Sequence, residues 1–481
     1  MDKNKFYITT TLAYVNADPH VGFAREIIEA DVLARFHRKM GDEVFFNTGT
    51  DEHGLKIFRK AQELGIDVQK YCDEKAENFK KLKETLNLTF DNFIRTTDEH
   101  HVKAAQEFWK ICEKNGDIYK KQYKIKYCVG CELEKTESEL AQGKCPLHPN
   151  MEIEIIEEEN YFFRFSRYQE KLLKLYEENP DFVLPKKRMN EIRSFVERGL
   201  EDFSISRLKE KMPWGVPVPG DDGQIMYVWF DALVDYISTL GWPNDLENFE
   251  KFWPGYQLCG KDNLRQQSAM WQAMLMSANL KPSKQIFVNG FITAKGEKMS
   301  KSLGNVINPQ DMVVKFGIDG TRYLLLSLGN FGEDTDISWE WLVEKYNADL
   351  ANGLGNLLSR VIKLSGNLVK SSKEIWEEKN KNNKNEIVWS PSANFIKEIR
   401  LEQILLQVQE IIKRSNETID RCKPWETIKN DFNKFSQDME ALVYNLYYIS
   451  ELLTPFMPDT SEKIKKALET KTVGPLFQRI K

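Results

Sequence analysis

No run of 18 or more apolar residues occurs in this 481-residue chain, which excludes a helical membrane span. The opening residues, Met1-Asp2-Lys3-Asn4-Lys5-Phe6, carry no apolar leader segment and pass directly into a strand-like stretch. Neither sign of charge dominates: 68 Lys and Arg face 73 Asp and Glu, a formal net charge of −5. A nucleic-acid partner is compatible with that balance only through a local basic surface. Cysteine is scarce. There are 7, an odd number, and three lie in one short segment, which argues against a disulfide framework and for a metal site in a reducing compartment. The expected location is the cytoplasm. The 41% of hydrophobic residues is ample for a core, and the length fits two to four domains.

Phe6-Tyr7-Ile8-Thr9-Thr10 reads as a short buried strand, and Asn16-Ala17-Asp18-Pro19 as a turn. Residues 20–40 then place Ile27, Ile28, Ala30, Val32, Leu33 and Phe36 at helical spacing, closed by Gly41. Val44-Phe45-Phe46 predicts a second strand and 54–64 a second helix. Alternation of this kind implies an α/β fold built on a parallel sheet, with ligands at the carboxyl ends of the strands. The pattern breaks at about residue 116 and resumes at Met226-Tyr227-Val228-Trp229, Tyr256-Gln257-Leu258-Cys259 and Ile286-Phe287-Val288, so 116–225 reads as an insertion. After about 345 the spacing is helical: Leu350, Leu354, Leu357, Leu358, Val361, Ile362 and Leu364 form one stripe, and 393–420 and 435–470 are amphipathic. Residues 371–389, rich in Lys, Glu and Asn, read as a solvated loop.

The insertion contains Cys128-Val129-Gly130-Cys131 and Cys145-Pro146-Leu147-His148. Two knuckles in 21 residues supply four ligands for a tetrahedral structural zinc ion, with no position left for water. Gly130 lets the first knuckle turn toward the metal. Cys72, Cys112, Cys259 and Cys422 lack such partners and read as small core residues.

Two other short segments handle phosphate. Pro19-His20-Val21-Gly22 puts an imidazole at a helix N-terminus, where backbone N–H groups and the helix dipole favour anions. Lys298-Met299-Ser300-Lys301-Ser302 is a loop with two cations and two hydroxyls. Taken with the zinc-bearing insertion, these motifs resemble those of class I aminoacyl-tRNA synthetases, and within the class the methionyl-tRNA synthetases. The resemblance covers essentially the whole chain. It includes Thr48-Gly49-Thr50-Asp51-Glu52-His53-Gly54, Ser204-Ile205-Ser206-Arg207, Tyr227-Val228-Trp229-Phe230-Asp231-Ala232 and Gly260-Lys261-Asp262. Gly355-Asn356-Leu357-Leu358-Ser359-Arg360 and Lys423-Pro424-Trp425 complete it.

The resemblance implies a Rossmann-type catalytic domain in two halves (1–115 and 226–290), the zinc-bearing insertion (116–225), a stem-contact region with the lysine loop (291–345) and a helical anticodon-binding domain (346–481). It implies a ligase that converts L-methionine and ATP to methionyl-adenylate and pyrophosphate, then esterifies the 3′-terminal adenosine of tRNA(Met), in initiation and elongation. His20, Lys298 and Lys301 would be catalytic, neutralising charge that develops on the phosphates. Gly22, Gly260 and Asp262 would join them around ATP, whose Mg2+ the nucleotide itself would hold. Leu12, Tyr14, Trp229, Ala232, Leu233, Tyr236 and Trp271 would form the methionine pocket, with Asp51 on the substrate ammonium. Asn356, Arg360 and Trp425 would stack on and bond to the anticodon bases. The chain ends without the tRNA-binding extension of many relatives, so a monomer, or a separate tRNA-binding protein, is expected; neither DNA nor membrane is an expected partner.

Two departures stand out. The second histidine of the first signature is replaced by Phe23, which cannot donate a hydrogen bond, and the aromatic–histidine pair expected after Gly-Lys-Asp is Gln266-Gln267. They are the support for a competing reading, a paralogue that holds tRNA or methionine without chemistry. A third reading is another small-molecule adenylyl transferase. An insertion of this length is too short for the editing domain that Val, Ile and Leu enzymes need, because one methylene discriminates poorly.

Overall fold

The computed structural model describes the chain apart from residues 1–2, 132, 136–138, 295, 299–305, 367, 381–388, 390–391 and 473. It folds as two compact units, one made of 1–19, 42–82 and 89–288, the other of 20–41, 83–88 and 289–481. The first is organised by a seven-stranded sheet ordered Ala13–Tyr14, Glu43–Asp51, Lys5–Thr9, Tyr256–Gly260, Gln285–Asn289, Val183–Leu184, with Asn92–Arg95 also paired to Glu43–Asp51. Lys5–Thr9 runs parallel to both neighbours, Phe6 opposite Val44 and Ile8 opposite Tyr256. Its residues from Phe6 to Thr9 are all buried, as expected of a parallel strand covered on both faces. The α/β reading of the sequence therefore holds. Under the sheet, Phe108, Trp109, Phe230 and Trp271 pack ring against ring, with centroids 5.2–6.0 Å apart.

One strand expectation fails. Met226 ends an antiparallel strand, Asp221–Met226, that belongs to a separate three-stranded sheet, and Val228–Ala232 is a short helix. A brief apolar run looks the same whether it is a buried strand or a buried helix, and here Tyr227 turns the chain from one into the other. The insertion is itself built on a long antiparallel pair, Ile118–Cys128 with Glu154–Phe163, in a four-stranded sheet with Leu133–Lys135 and Phe203–Ser204.

The second unit is mainly helical. Val21–Met40 packs on Pro309–Leu326, and Leu401–Cys422, Phe432–Leu453 and Pro458–Thr470 form the bundle that the amphipathic spacing predicted. Arg322, fully buried, ties it together: it pairs with Asp31 at 2.8 Å and donates to the carbonyls of Phe456, Pro455 and Leu86. The expected solvated loop at 371–389 is partly wrong. Ser372–Lys379 is a helix that begins with a full capping box, Ser371 with Glu374, and Trp376 and Trp389 are buried. A local S-x-x-E signal and two tryptophans outweighed the polar composition. Cys72, Cys112 and Cys259 are core residues, whereas Cys422 is only half-buried. No helix among the described residues is long and apolar enough to cross a membrane.

Candidate functional site

In the first unit, functional candidates collect at the carboxyl edge of the sheet. Tyr14 lies opposite Asp51 and Ala13 opposite Thr50 in the strand register. Thr11 bonds the carbonyl of Leu258 at 3.3 Å, which anchors the segment carrying Leu12 to the strand that ends at Gly260. Asp262 folds back over that glycine. A Cβ at Gly260 would meet Asp262 Oδ1 at 2.6 Å, so the position has no room for a side chain while Asp262 sits there.

The turn after Asp51 is clamped from several directions. Glu52 is fully buried and accepts from Arg95 (2.7 and 2.8 Å), Thr50 (2.6 Å) and Thr97 (2.6 Å). Its backbone N–H donates to Thr96 and its carbonyl accepts from the Trp214 indole. One residue on, His53 Nδ1 meets Asp231 Oδ2 at 2.6 Å; His101 Nε2 meets Asp231 Oδ1 at 2.8 Å, and His101 Nδ1 meets Ser238 Oγ at 2.9 Å. Burial works to raise the Asp231 carboxyl, but the facing His53 and the bonds from His101 and His53 outweigh it and hold it below the usual carboxylate range. Asp231 appeared in the sequence only as part of a motif string. Arg95, His101 and Ser238 carried no signal there, because their partners lie far away along the chain.

The proposed methionine-pocket side chains sit on two short helices, at the start of the helix Trp271–Ser277 and at the sheet edge. Leu233 and Tyr236 are buried, Trp229 half-buried, and the Tyr236 and Trp271 ring centroids are 6.1 Å apart. Ala232 is buried beside them in sequence, and Leu12 and Asp51 are buried at the sheet edge. Gln266 and Gln267 fall in the π turn Gln266–Met270, a distortion common at functional sites. Next to Tyr236, Asp235 is fully buried. Burial first, and the charge of Asp51 second, push its pKa well above the ordinary value.

The second unit holds the phosphate-handling candidates. His20 is the N-cap of Val21–Met40, and its Nδ1 accepts from the Gly22 N–H at 3.0 Å. A neutral ring accepting at Nδ1 carries its proton on Nε2, so Nε2–H is the donor a phosphate oxygen would meet. Gly22 has a local reason to be glycine: a Cβ there would lie 2.9 Å from His20 Cε1. Phe23 is half-buried. Val21 N–H donates to the Ile307 carbonyl at 3.3 Å, which places this helix start against the chain just past the lysine segment. Lys298 closes the strand Glu297–Lys298, paired with Ile292–Ala294; Lys301 lies outside the described residues.

The four knuckle residues converge. Their ligand atoms all lie within 4.8 Å of one another, with Cys131 Sγ 3.4 Å from Cys145 Sγ and 3.2 Å from His148 Nδ1. Zinc–sulfur bonds of about 2.3 Å put tetrahedral ligands about 3.7 Å apart, so the cluster fits such an ion. A Cβ at Gly130 would fall 2.5 Å from the His148 ring, and glycine there is what admits the fourth ligand.

In the bundle, Arg360 reaches Asn416 at 3.1 Å and Asp420 at 2.5 Å, both on the helix that ends at Cys422. Trp425 follows three residues later and is 45% exposed, as is Phe432 at 46%; Asn356 is exposed too. An aromatic that is left this open is not a core residue. Phe432 escaped the sequence reading because nothing local distinguishes an exposed phenylalanine from a buried one.

Residues 6–152 and 136–362 match the family described as tRNA synthetases class I (M). The chain is 43% identical to the methionine–tRNA ligase of Thermotoga maritima over 96% of its own length and 74% of that protein. With that of Thermosynechococcus vestitus the identity is 42%, over 95% and 89%. Among solved structures, the Mycobacterium tuberculosis methionyl-tRNA synthetase in complex with methionyl-adenylate superposes with a TM-score of 0.90 at 32% identity, covering 99% of this chain and all of that one. By sequence and fold alike, the chain belongs to the methionyl class I tRNA synthetases.

Proposed function

We propose the following division of labour for a methionine–tRNA ligase, an ATP-dependent enzyme whose partners are ATP, methionine and tRNA. The methionine carboxylate attacks the α-phosphorus of ATP; a P–O bond forms, the bond to the bridging oxygen of the β-phosphate breaks, and pyrophosphate leaves. A hydroxyl of the 3′-terminal adenosine then attacks the adenylate carbonyl and AMP leaves. Little covalent chemistry falls to the protein, so positioning and charge dominate.

Asp51, held by the Glu52–Arg95 and His53–Asp231 clamps, receives the methionine ammonium, and Leu12, Tyr14, Trp229, Ala232, Leu233, Tyr236 and Trp271 enclose the side chain. His20 donates from Nε2 to phosphate, Gly22 gives its imidazole room, and Lys298 and Lys301 neutralise the departing pyrophosphate. Gly260 and Asp262 hold the ribose. Phe23 leaves His20 and the lysines to carry the phosphate charge. Cys128, Cys131, Cys145 and His148 hold a structural zinc ion in the 116–225 insertion, Mg2+ arrives with ATP, and Asn356, Arg360 and Trp425 read the anticodon from a cytoplasmic enzyme. The observation that carries this reading is the rigidly braced Asp51 turn beside a buried Tyr236–Trp271 wall. Its test is methionine-dependent ATP–pyrophosphate exchange, with leucine and cysteine as comparators. Exchange with methionine that disappears in Lys301→Ala is the expected result; exchange equal with all three amino acids refutes the pocket assignment.

A further inference from the structure

We propose that Glu29 is a positioning residue for the phosphate chemistry: by tying Arg25 on its own helix to Asn289 at the end of the strand Gln285–Asn289, it sets the distance between His20 and the hairpin that carries Lys298. The proposal rests on the ligase reading and deepens its ATP site.

Arg25 and Glu29 are four residues apart on the helix Val21–Met40, so their side chains share a face. That face is turned inward. Ala24, Ile28 and Val32 close by are fully buried, and Arg25, Glu29 and Asn289 are each more than nine-tenths buried. Glu29 Oε1 accepts from Arg25 Nε at 2.9 Å, and its Oε2 accepts from Asn289 Nδ2 at 2.7 Å. The Asn289 amide has one sense here, since turning it over would set its oxygen against the carboxylate. A buried ion pair is weak evidence for stability, because a well-packed apolar group of similar volume does as well. What the carboxylate adds is direction. Apolar side chains let a helix slide or rotate against its neighbour, whereas two charge-assisted bonds to one carboxylate fix it.

Both ends of this brace lead to groups that handle phosphate. His20 caps the same helix nine residues before Glu29, about 13.5 Å along its axis. On the other side, Asn289 is followed by Gly290, where a Cβ would lie 2.1 Å from the Glu333 carbonyl oxygen, and by Phe291, whose N–H donates to Asp334 at 2.9 Å. Ile292–Ala294 then pairs with Thr335–Ile337 and with Glu297–Lys298. The chain is thus held at several points between Asn289 and Lys298. Glu29 touches no substrate in this account. It acts through His20 and the lysine hairpin, where a displacement of about 1 Å costs about 100-fold in rate.

The test measures ATP–pyrophosphate exchange by the full chain for wild type, Asn289→Leu, Asn289→Asp and the exchanged pair, Glu29→Gln with Asn289→Asp. Asn289→Leu deletes the bond and leaves Arg25 paired with Glu29, so no charge is stranded. It should lower kcat about 10- to 100-fold and change the KM for methionine by less than about twofold. Asn289→Asp sets carboxylate against carboxylate and should cost more. The exchanged pair restores the bond in the opposite sense, the new amide at position 29 donating to the new carboxylate at 289, and should return kcat to within about fivefold of wild type. In a His20→Ala background, Asn289→Leu should cost under about threefold, because the distance it disturbs matters only while His20 is there to act. Should Asn289→Asp fail to fold, Asn289→Leu and the exchanged pair decide by themselves. An exchanged pair as slow as Asn289→Leu overturns the proposal. An unchanged kcat in Asn289→Leu, a loss that falls instead on the KM for methionine, or an equal cost with and without His20 overturns it as well. No methionine-dependent exchange in the wild type would instead overturn the ligase reading on which it rests.

Discussion

Replacing Asp231 by Asn tests whether the braced turn at Asp51 is what prepares the amino-acid site. Asp231 is fully buried and takes hydrogen bonds from His53 at 2.6 Å and His101 at 2.8 Å. Asparagine keeps the shape but loses the charge, and one of its two polar ends is a donor. It can accept from one histidine and must set its NH2 group against the other. Two charge-assisted bonds worth about 1.5–3 kcal/mol each give way to one neutral bond of about 1 kcal/mol, a net cost of about 2–5 kcal/mol. His53 lies two residues from Asp51, so the KM for methionine should rise as the turn loosens, with the KM for ATP less affected. Urea unfolding followed by tryptophan fluorescence and pyrophosphate-exchange kinetics read the two effects. The acid dependence has a defined sign. A carboxylate held below its unfolded value of about 3.9 stabilises the fold above that pH, and the contribution disappears as pH falls through the lower folded value. The stability gap between wild type and Asp231→Asn should therefore be full at neutral pH and close below about pH 4. A cost under about 1 kcal/mol together with an unchanged KM for methionine would refute the reasoning.

Two further expectations follow from the outlying clusters. Gly130→Ala forces a Cβ into the His148 ring, and the variant should retain well under one zinc per chain by elemental analysis after mild chelation, where the wild type retains one. Trp425→Ala removes an exposed stacking surface worth about 1–3 kcal/mol per base, so the KM for tRNA in aminoacylation should rise about 5- to 150-fold, while pyrophosphate exchange, which needs no anticodon, keeps its KM for methionine.

What the sequence by itself determined was local chemistry. Four residues able to hold a metal within 21 positions, the imidazole next to a helix start and the buried run Phe6–Thr9 each carry their meaning within a few positions, because knuckle, cap and strand are short-range structures. Motif strings read through a resemblance added the rest of the site list. The tertiary structure decided which polar residues are partners. His53 and His101 stand 178 and 130 positions from Asp231; the sequence singled out His53 only as a member of a motif string and gave His101 no signal at all. Gln266 and Gln267 stood out only as a departure, yet Gln267 proves to donate to the Tyr236 hydroxyl, 31 positions away along the chain. Arg360, expected to meet RNA, is held by Asp420 on another helix. The segment around Tyr227 changed from strand to helix because packing, and not its own pattern, chose between two buried states. In each case burial obliges a polar or apolar group to find a particular neighbour, and which neighbour it finds is fixed only when distant parts of the chain are brought together.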